Sequence, residues 1–503
     1  MKHSLLIIAA MLVTNLQAQW SSDPNINNAI CTAGGDQFFP ELTSDGSGGA
    51  IITWADYRIQ SSDIYAQRIN SSGIVEWSAD GVAICTTTAG RSYPQLTSDG
   101  SGGAIITWED HRSGFNNPDI YAQRINLDGT VEWLANGVAI CTALEIQFSP
   151  KITSDGSGGV IISWEDVRNL NDDIYAQRIN SNGTVQWSTD GVAICTAPTP
   201  QAFHQITSDG SGGAIITWSD GRFGFADIYA QSINSDGTVE WSVDGIAICS
   251  AIGVQGSPHL TTDGSGGAII TWADRRIPND HIYAQRINSG GTIEWTENGV
   301  AICRAPDSQS VPHVTSDGSG GAIITWSDNR IQGADIYAQR INSGGIVEWT
   351  INGVAICTAT SPQDLHQLTS DGRGGAIVTW QDGRNSDWDI YASRVDTNGN
   401  LGNTTPVEDE VETVKPEKFD LLQNYPNPFN PNTEINYQLP ERSFVAIKVF
   451  DVLGTEIAVL VNEEKPAGSY EVEYNASNLP SGVYFYQLSA GSFIETKKMI
   501  LLR

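Results

Sequence analysis

The stretch Thr97-Ser98-Asp99-Gly100-Ser101-Gly102-Gly103-Ala104-Ile105-Ile106-Thr107-Trp108 decides the fold of most of this chain. Its glycine-rich half has the composition of a turn, and its apolar half is a continuous run typical of a strand buried on both faces. The phrase recurs with small changes, and its Asp falls at residues 45, 99, 155, 209, 263, 317 and 371. The spacing is 54 residues except for one spacing of 56. Such a period predicts a repeat protein built from small sheets.

Each repeat contains short runs of strand composition. In the second copy we predict strand one at residues 94–98, strand two at 104–108, strand three at 119–126 and strand four at 130–133. The phrase that ends in Cys141 follows, and the sequence leaves open whether it belongs to the fourth strand. Seven such sheets predict an all-β, seven-bladed β-propeller over residues 19–403.

The seventh repeat stops before its Trp and its Cys phrase. The N-terminal segment supplies both, since Trp20 matches Trp77 and residues 29–31 match residues 83–85. We therefore predict that this segment completes the last blade and closes the ring, which removes the open sheet edges at the seam.

The net charge and the N-terminal segment indicate which partners and which location to expect for this protein. The formal net charge is −31, and Lys151 is the only lysine between the leader and residue 414. Such a chain repels phosphate backbones, so we expect no nucleic-acid partner. Residues 1–18 combine Lys2 with a short apolar run and Ala18, the pattern of a signal peptide. The run is too short to cross a bilayer, so we expect no transmembrane segment.

The seven cysteines lie one to a repeat, at residues 31, 85, 141, 195, 249, 303 and 357. Equivalent positions on neighbouring packed sheets are about 10 Å apart, which is farther than a disulfide reaches. We predict buried free thiols with a packing role. No spacing typical of a metal site accompanies them, so we predict no metal and no cofactor.

A second recurring motif is Trp-x-Asp-x-Arg, which begins with Trp54, Asp56 and Arg58 and returns in all seven repeats. A catalytic site is expected to occur once in a ring, because one substrate contacts one set of residues. A motif present in every blade is therefore expected to have a structural role and to hold the blades together. We predict ion pairing and capping for this motif, and we assign no catalytic residue.

The two faces of the predicted ring differ. The face with the hairpin turns is nearly uniform, whereas the opposite face varies and holds the only length change, two residues inserted within 113–118. Functional residues concentrate in loops on a rigid scaffold, which predicts a binding face, although unconstrained drift of exposed loops is the alternative.

One position of strand one holds a polar residue that differs from repeat to repeat, and so breaks the sevenfold similarity of the repeats. His259 and His313 hold it in consecutive blades, while His204 and His366 lie one position earlier, just before the predicted strand. We predict a ligand-binding ring at the channel mouth, made of Glu41, Gln95, Lys151, Gln205, His259, His313 and Gln367. The alternative is a set of solvated strand ends, because no carboxylate pair or nucleophile stands out.

The C-terminal part has a different character. Residues 404–418 are charged and contain Pro, as in a linker, and residues 419–503 contain short alternating runs at 444–450, 470–474 and 483–488. These runs predict a small Ig-like β-sandwich.

The motifs of this tail are Asn424-Tyr425-Pro426-Asn427-Pro428-Phe429-Asn430-Pro431, the segments 449–454 and 481–486, and the terminal residues 497–503. The tail resembles the type A C-terminal sorting domain of type IX secretion substrates. The resemblance implies export through the periplasm, recognition by the outer-membrane secretion machinery, and removal of the tail with release of the cargo or its anchoring to lipopolysaccharide. The residues that match the sorting motif are Tyr425, Pro426, Asn427, Pro428, Phe429, Asn430, Pro431, Gly454, Gly482, Lys497 and Lys498.

These observations predict a secreted or cell-surface binding protein without enzymatic activity, whose variable face engages a glycan or a protein. Two alternatives stay open. One is a secreted polysaccharide-degrading hydrolase with its site at the channel mouth, and the other is a structural surface protein.

Overall fold

The computed structural model describes residues 29–59, 61–331, 333–383, 389–401, 418–424, 426–440, 442–465, 468–491 and 493–502. The chain divides into two compact units, residues 1–402 and 403–503. Both consist of antiparallel sheets, and the described residues contain one helical element, a 3₁₀ turn at His111–Ser113. The predicted all-β class is confirmed. The predicted signal peptide, Trp20, Arg384, Tyr425 and the linker up to residue 417 lie outside the described residues.

The described part of the first unit forms seven sheets, numbered here in chain order, whose strands pair with their sequence neighbours. Sheet 1 consists of Gln37–Ser44, Ala50–Asp56, Asp63–Ile69 and Val82–Cys85, and sheet 2 of Arg91–Ser98, Ala104–Asp110, Asp119–Ile125 and Val138–Cys141. Sheet 3 consists of Gln147–Ser154, Val160–Asp166, Asp173–Ile179 and Val192–Cys195, and sheet 4 of Gln201–Ser208, Ala214–Phe223, Phe225–Ile233 and Ile246–Cys249. Sheet 5 consists of Gln255–Thr262, Ala268–Asp274, His281–Ile287 and Val300–Cys303, and sheet 6 of Gln309–Ser316, Ala322–Asp328, Asp335–Ile341 and Val354–Cys357. Sheet 7 consists of Gln363–Ser370, Ala376–Asp382 and Asp389–Val395.

The turn between the first and second strands is held by its aspartate. In sheet 1, Asp45 Oδ1 accepts the backbone N–H groups of Ser47 and Gly49, both at 2.8 Å, and Oδ2 accepts from the Arg68 guanidinium at 2.8 Å. Burial alone raises the pKa of Asp45, but the Ser47 and Gly49 donors and Arg68 outweigh it and lower the pKa to about 2. The repeated phrase is therefore a structural turn, in which both oxygens of the carboxylate already accept hydrogen bonds from the protein.

The fourth strand differs from its prediction. It is the cysteine phrase, Val138–Cys141 in sheet 2, while the segment 130–133 makes only a single bridge between Ile125 and Val131. The backbone N–H of Trp133 donates to the side chain of Gln123, and its indole N–H donates to the Ser181 carbonyl of sheet 3. These side-chain bonds replace ladder pairing and turn the segment towards the next sheet.

The Trp-x-Asp-x-Arg motif has the structural role that the sequence predicts. In sheet 2 the indole N–H of Trp108 donates to Asp110 at 2.9 Å, and Arg112 pairs with the same carboxylate at 2.7 Å. The Arg112 guanidinium also lies 3.8 Å from the ring centre of Tyr121. Cys85 is buried beside this cluster, and burial raises the pKa of its thiol to about 11, so it is unreactive at neutral pH.

Apolar clusters fill the interfaces between consecutive sheets, from the pair of sheets 1 and 2 to the pair of sheets 6 and 7. At the seam, sheet 7 has three strands in the described part of the chain, and Leu42 of sheet 1 is 70% exposed. Cys31 lies 3.5 Å from Arg58, as Cys85 lies 3.6 Å from Arg112. Cys31 thus contacts sheet 1 as Cys85 contacts sheet 2, while the number of blades and the closure of the ring by the N-terminal segment stay predictions.

The second unit has two sheets. Their strands, in spatial order, are Asp420–Leu421, Asn432–Leu439 and Gly468–Asn475 in one sheet, and Glu456–Lys465, Ser443–Phe450, Gly482–Ala490 and Phe493–Leu501 in the other. Both contribute to one apolar core that includes Ile435, Ile447, Tyr486 and Leu501. Among the residues that the model describes, no helix has the length and apolar character needed to cross a bilayer.

Candidate active site

The first strands of consecutive sheets lie side by side, so their side chains meet in one place. The seven residues of the predicted ring occupy one register there. Each pairs with the same position of the second strand, as Gln95 does with Thr107 and His259 with Thr271. His204 and His366 lie inside the first strands Gln201–Ser208 and Gln363–Ser370, not before them, and both are buried.

A cavity of about 490 Å³ opens beside this register in sheets 3 to 6. Lys151, Gln205 and His259 of the predicted ring line it, whereas Glu41, Gln95, His313 and Gln367 do not. Glu41 instead accepts a hydrogen bond from the Gln95 amide at 3.0 Å. The structure therefore brings part of the predicted ring to a cavity of the size that small-ligand sites have.

A bulge in every first strand places one residue at the rim of this region. Its φ lies between 49° and 57° in all seven copies, although none of them is glycine. The residues are Phe39, Tyr93, Ser149, Phe203, Ser257, Val311 and Leu365. This left-handed backbone directs the N–H of Phe203 towards the second strand of the preceding sheet.

Glu165 accepts that N–H. Its Oε1 lies 3.1 Å from the Phe203 nitrogen and 3.4 Å from Nδ1 of the buried His204. The residue is 6% exposed and lines the cavity. Burial lowers the pKa of Lys151 on the same wall, and the nearby charges of Glu41 and Glu165 oppose that shift.

Asp172 is a second carboxylate on the cavity wall. Burial, then the negative charges of Glu165 and Asp173, raise its pKa. The equivalent residue of sheet 5, Asp280, is held instead by an ion pair with Arg275 at 2.5 Å. The cavity therefore contains a carboxyl group that keeps its proton to higher pH beside a carboxylate that accepts a backbone N–H, an arrangement suited to general acid–base chemistry.

Glu109 occupies in sheet 2 the position that Glu165 has in sheet 3. It accepts the N–H of Ser149 at 2.8 Å and the hydroxyl of Ser92 at 3.1 Å. Burial is the main cause that raises its pKa, and the charge of Glu165 adds to it. The Ser92 hydroxyl also lies 3.4 Å from His111, whose other ring nitrogen is 2.9 Å from the carbonyl of Phe115 in the inserted loop.

Three imidazoles pack together beside the cavity. The ring centres of His259 and His313 are 4.3 Å apart, and those of His313 and His366 are 4.8 Å apart. Burial lowers the pKa of His313 to about 4 and, with the charge of His313, that of His366 to about 3. The described residues contain no group of His, Cys, Asp and Glu arranged to hold a metal ion.

The sequence signal for the two glutamates is the variable residue of the Trp-x-Asp phrase. Its seven occupants are Ala55, Glu109, Glu165, Ser219, Ala273, Ser327 and Gln381. Only two adjacent repeats carry a carboxylate there. The Trp, Asp and Arg are the same in all seven repeats and predict a structural role, so the prediction missed the intervening position at which the symmetry breaks.

In the tail unit, the residues of the sorting motif are tied to the last strand. Phe429 is 2% exposed, its N–H donates to the Ile500 carbonyl at 3.0 Å, and its own carbonyl accepts from Leu502 at 2.9 Å. Asn427 accepts the Ile500 N–H at 2.9 Å. Residues 423–502 match the family model of the secretion system C-terminal sorting domain.

The tail is a sorting domain. The sorting domain directs the protein to the type IX secretion machinery, so the chain is exported to the cell surface or the extracellular space. The predicted resemblance and localisation are confirmed, while release or anchoring of the cargo stays an expectation.

No curated protein sequence matches the chain. Among solved structures, the polysaccharide lyase Uly1 matches with a TM-score of 0.44 at 9% identity, over 77% of this chain and 94% of that one. An ulvan lyase of family PL25 matches with 0.43 at 11% identity, over 76% and 97%. An α-L-arabinanase from Penicillium chrysogenum matches with 0.37 at 13% identity, over 61% and 93%.

These comparisons correct one prediction. The matched structures are enzymes, and the prediction that this protein has no enzymatic activity is wrong. No carboxylate pair stands out in the sequence, because Glu165 and Asp172 come from different segments of sheet 3 and only the fold brings both to one cavity. A binding module without chemistry is accordingly withdrawn.

Proposed function

We propose that the first unit is an exported enzyme that hydrolyses glycosidic bonds in a polysaccharide, with its site at the cavity of sheets 3 to 6. One observation carries the proposal: Glu165 and Asp172 line the same cavity, and the charge of Glu165 helps to raise the pKa of Asp172. Glycoside hydrolysis typically uses two carboxyl groups in different environments, one as the general acid and the other as the nucleophile or general base.

In this reaction Asp172 donates its proton to the glycosidic oxygen as the bond to the anomeric carbon breaks. Glu165 either attacks the anomeric carbon or removes a proton from the attacking water. The products are one sugar chain with a new reducing end and one with a free hydroxyl. The anomeric configuration of the first product, read by proton NMR, distinguishes the two roles of Glu165.

His204 and the Phe203 N–H are positioning groups in this scheme. Both contact Glu165, at 3.4 Å and 3.1 Å, and fix the direction of its carboxylate. Lys151 lies on the same wall, where the charges of Glu41 and Glu165 favour its protonated form against the effect of burial on its pKa.

The test is release of reducing ends from a panel of neutral polysaccharides by the full-length protein and by its Glu165→Gln and Asp172→Asn variants. We expect each variant to lose about 10²- to 10⁴-fold in kcat/KM, the usual contribution of a general acid or base. Asp280→Asn is the matched control, since Asp280 has the same place in sheet 5 but is paired with Arg275. Full activity in either carboxylate variant would refute the proposal.

A further inference from the structure

The rim of left-handed residues carries side chains that the fold alone does not require. Positive φ costs a non-glycine residue free energy, and glycine adopts it freely. All seven rim positions nevertheless hold a residue with a side chain. Five of these are large and apolar, with 46% to 67% of their surface exposed: Phe39, Tyr93, Phe203, Val311 and Leu365.

The cost is increased by the next residue in most copies. Pro94 follows Tyr93 and Pro312 follows Val311, and a residue before proline prefers extended backbone. Exposed apolar side chains at a strained position gain little from burial. Strain that persists at a surface is a mark of function, so the side chains themselves are needed.

The rim is continuous with the proposed site. Phe203 lines the cavity and donates its N–H to Glu165. Farther along the rim, the ring centres of Phe39 and Tyr93 are 4.8 Å apart, and Phe38 and Tyr57 extend this aromatic group. A chain molecule held at the cavity therefore meets aromatic faces at more than one place.

The charge of the region limits what that molecule is. Within the described lining of the cavity, the charges of Glu165 and Asp172 are opposed by one ammonium group, that of Lys151, and Glu109 lies close enough to feel the charge of Glu165. The whole protein carries a net charge of −31. A polyanionic chain is repelled by this surface, whereas a neutral one is not.

We propose that the rim is a binding platform for an uncharged polysaccharide, whose sugar rings stack their C–H faces on Phe39, Tyr93 and Phe203. This inference rests on the proposed function and names the substrate class of the same site. Each stacking contact is expected to change affinity by about two- to tenfold.

The test uses the full-length Glu165→Gln protein, so that retention is measured without cleavage. Neutral arabinan and mannan, and anionic polygalacturonate and alginate, are each cast into native gels. Into this background we introduce Tyr93→Gly and Phe203→Gly, which keep the backbone N–H and relieve the strain. We expect weaker retention in the neutral gels together with a melting temperature equal to or above that of the parent, an outcome that a structural role does not give.

Phe444→Ala is the control, because Phe444 is an exposed aromatic residue of the sorting domain at 59% exposure. Unchanged retention of the glycine variants, a fall in their melting temperature, or stronger retention by the anionic gels would overturn the proposal. Its failure is separate from that of the proposed function, which is decided by cleavage in the Glu165 and Asp172 variants.

Discussion

Individual residues at the site behave as their burial dictates. The three packed imidazoles, of which His366 is the most buried, stay neutral near neutral pH because a protonated ring there would lose hydration. The pKa of His366 falls to about 3 and that of His313 to about 4, both below the ordinary 6.5. In the unfolded chain the same rings take up protons at pH values where the folded protein does not.

This difference gives a pH dependence of stability. As pH falls below 6.5, the unfolded state binds more protons than the folded state, so the free energy of unfolding decreases down to about pH 4 and below. We expect His366→Leu to reduce this slope. The check is the urea midpoint between pH 6.5 and pH 4 for both proteins, and an equal slope in the two would show that His366 does not gain a proton on unfolding.

At the scale of the element, the repeats are joined by tryptophans that cross to the next sheet. The indole of Trp133 donates to the Ser181 carbonyl at 3.0 Å and lies against Gly183, whose φ is +78°. A Cβ on Gly183 would come within 2.8 Å of the indole ring. The glycine is thus required both by its backbone and by the contact.

Two alanine substitutions separate these requirements. In Gly183→Ala the new residue must adopt a left-handed φ and its Cβ clashes with the indole of Trp133. In Gly156→Ala the new residue must also adopt a left-handed φ, of +71°, but its Cβ lies in open space. We expect Gly156→Ala to cost about 1 kcal/mol of unfolding free energy and Gly183→Ala about 1–3 kcal/mol more. Equal losses in chemical denaturation would mean that the tryptophan contact contributes nothing.

The sequence predicts the fold more fully than the site, for a physical reason. Turn glycines and apolar runs act locally, so the repeat and its first three strands are recognisable in the sequence. The fourth strand was misplaced because Gln123 captures the backbone of Trp133 through its side chain. That Glu165 and Asp172 line one cavity depends on the tertiary fold, and of the predicted ring only Lys151, Gln205 and His259 line it as well.

The whole molecule joins a candidate catalytic unit to an export signal. The sorting domain depends on its C-terminal segment, because the buried Phe429 hydrogen-bonds to Ile500 of the last strand and to Leu502 directly after it. We expect Phe429→Ala to leave the protein in the periplasm, whereas the exposed Phe444→Ala variant is exported. Immunoblots of periplasmic and extracellular fractions check this, and normal export of Phe429→Ala would mean that the packing of this residue is not needed for recognition.

The central claim, hydrolysis at the cavity of Glu165 and Asp172, is tested most directly by digesting a neutral polysaccharide in heavy-oxygen water and weighing the fragments by mass spectrometry. Hydrolysis places one heavy oxygen at each new reducing end, and we expect this label with the wild-type protein and its loss with Glu165→Gln. Unlabelled fragments that have lost water would show elimination instead, and an intact polysaccharide would show no cleavage; either result contradicts the account.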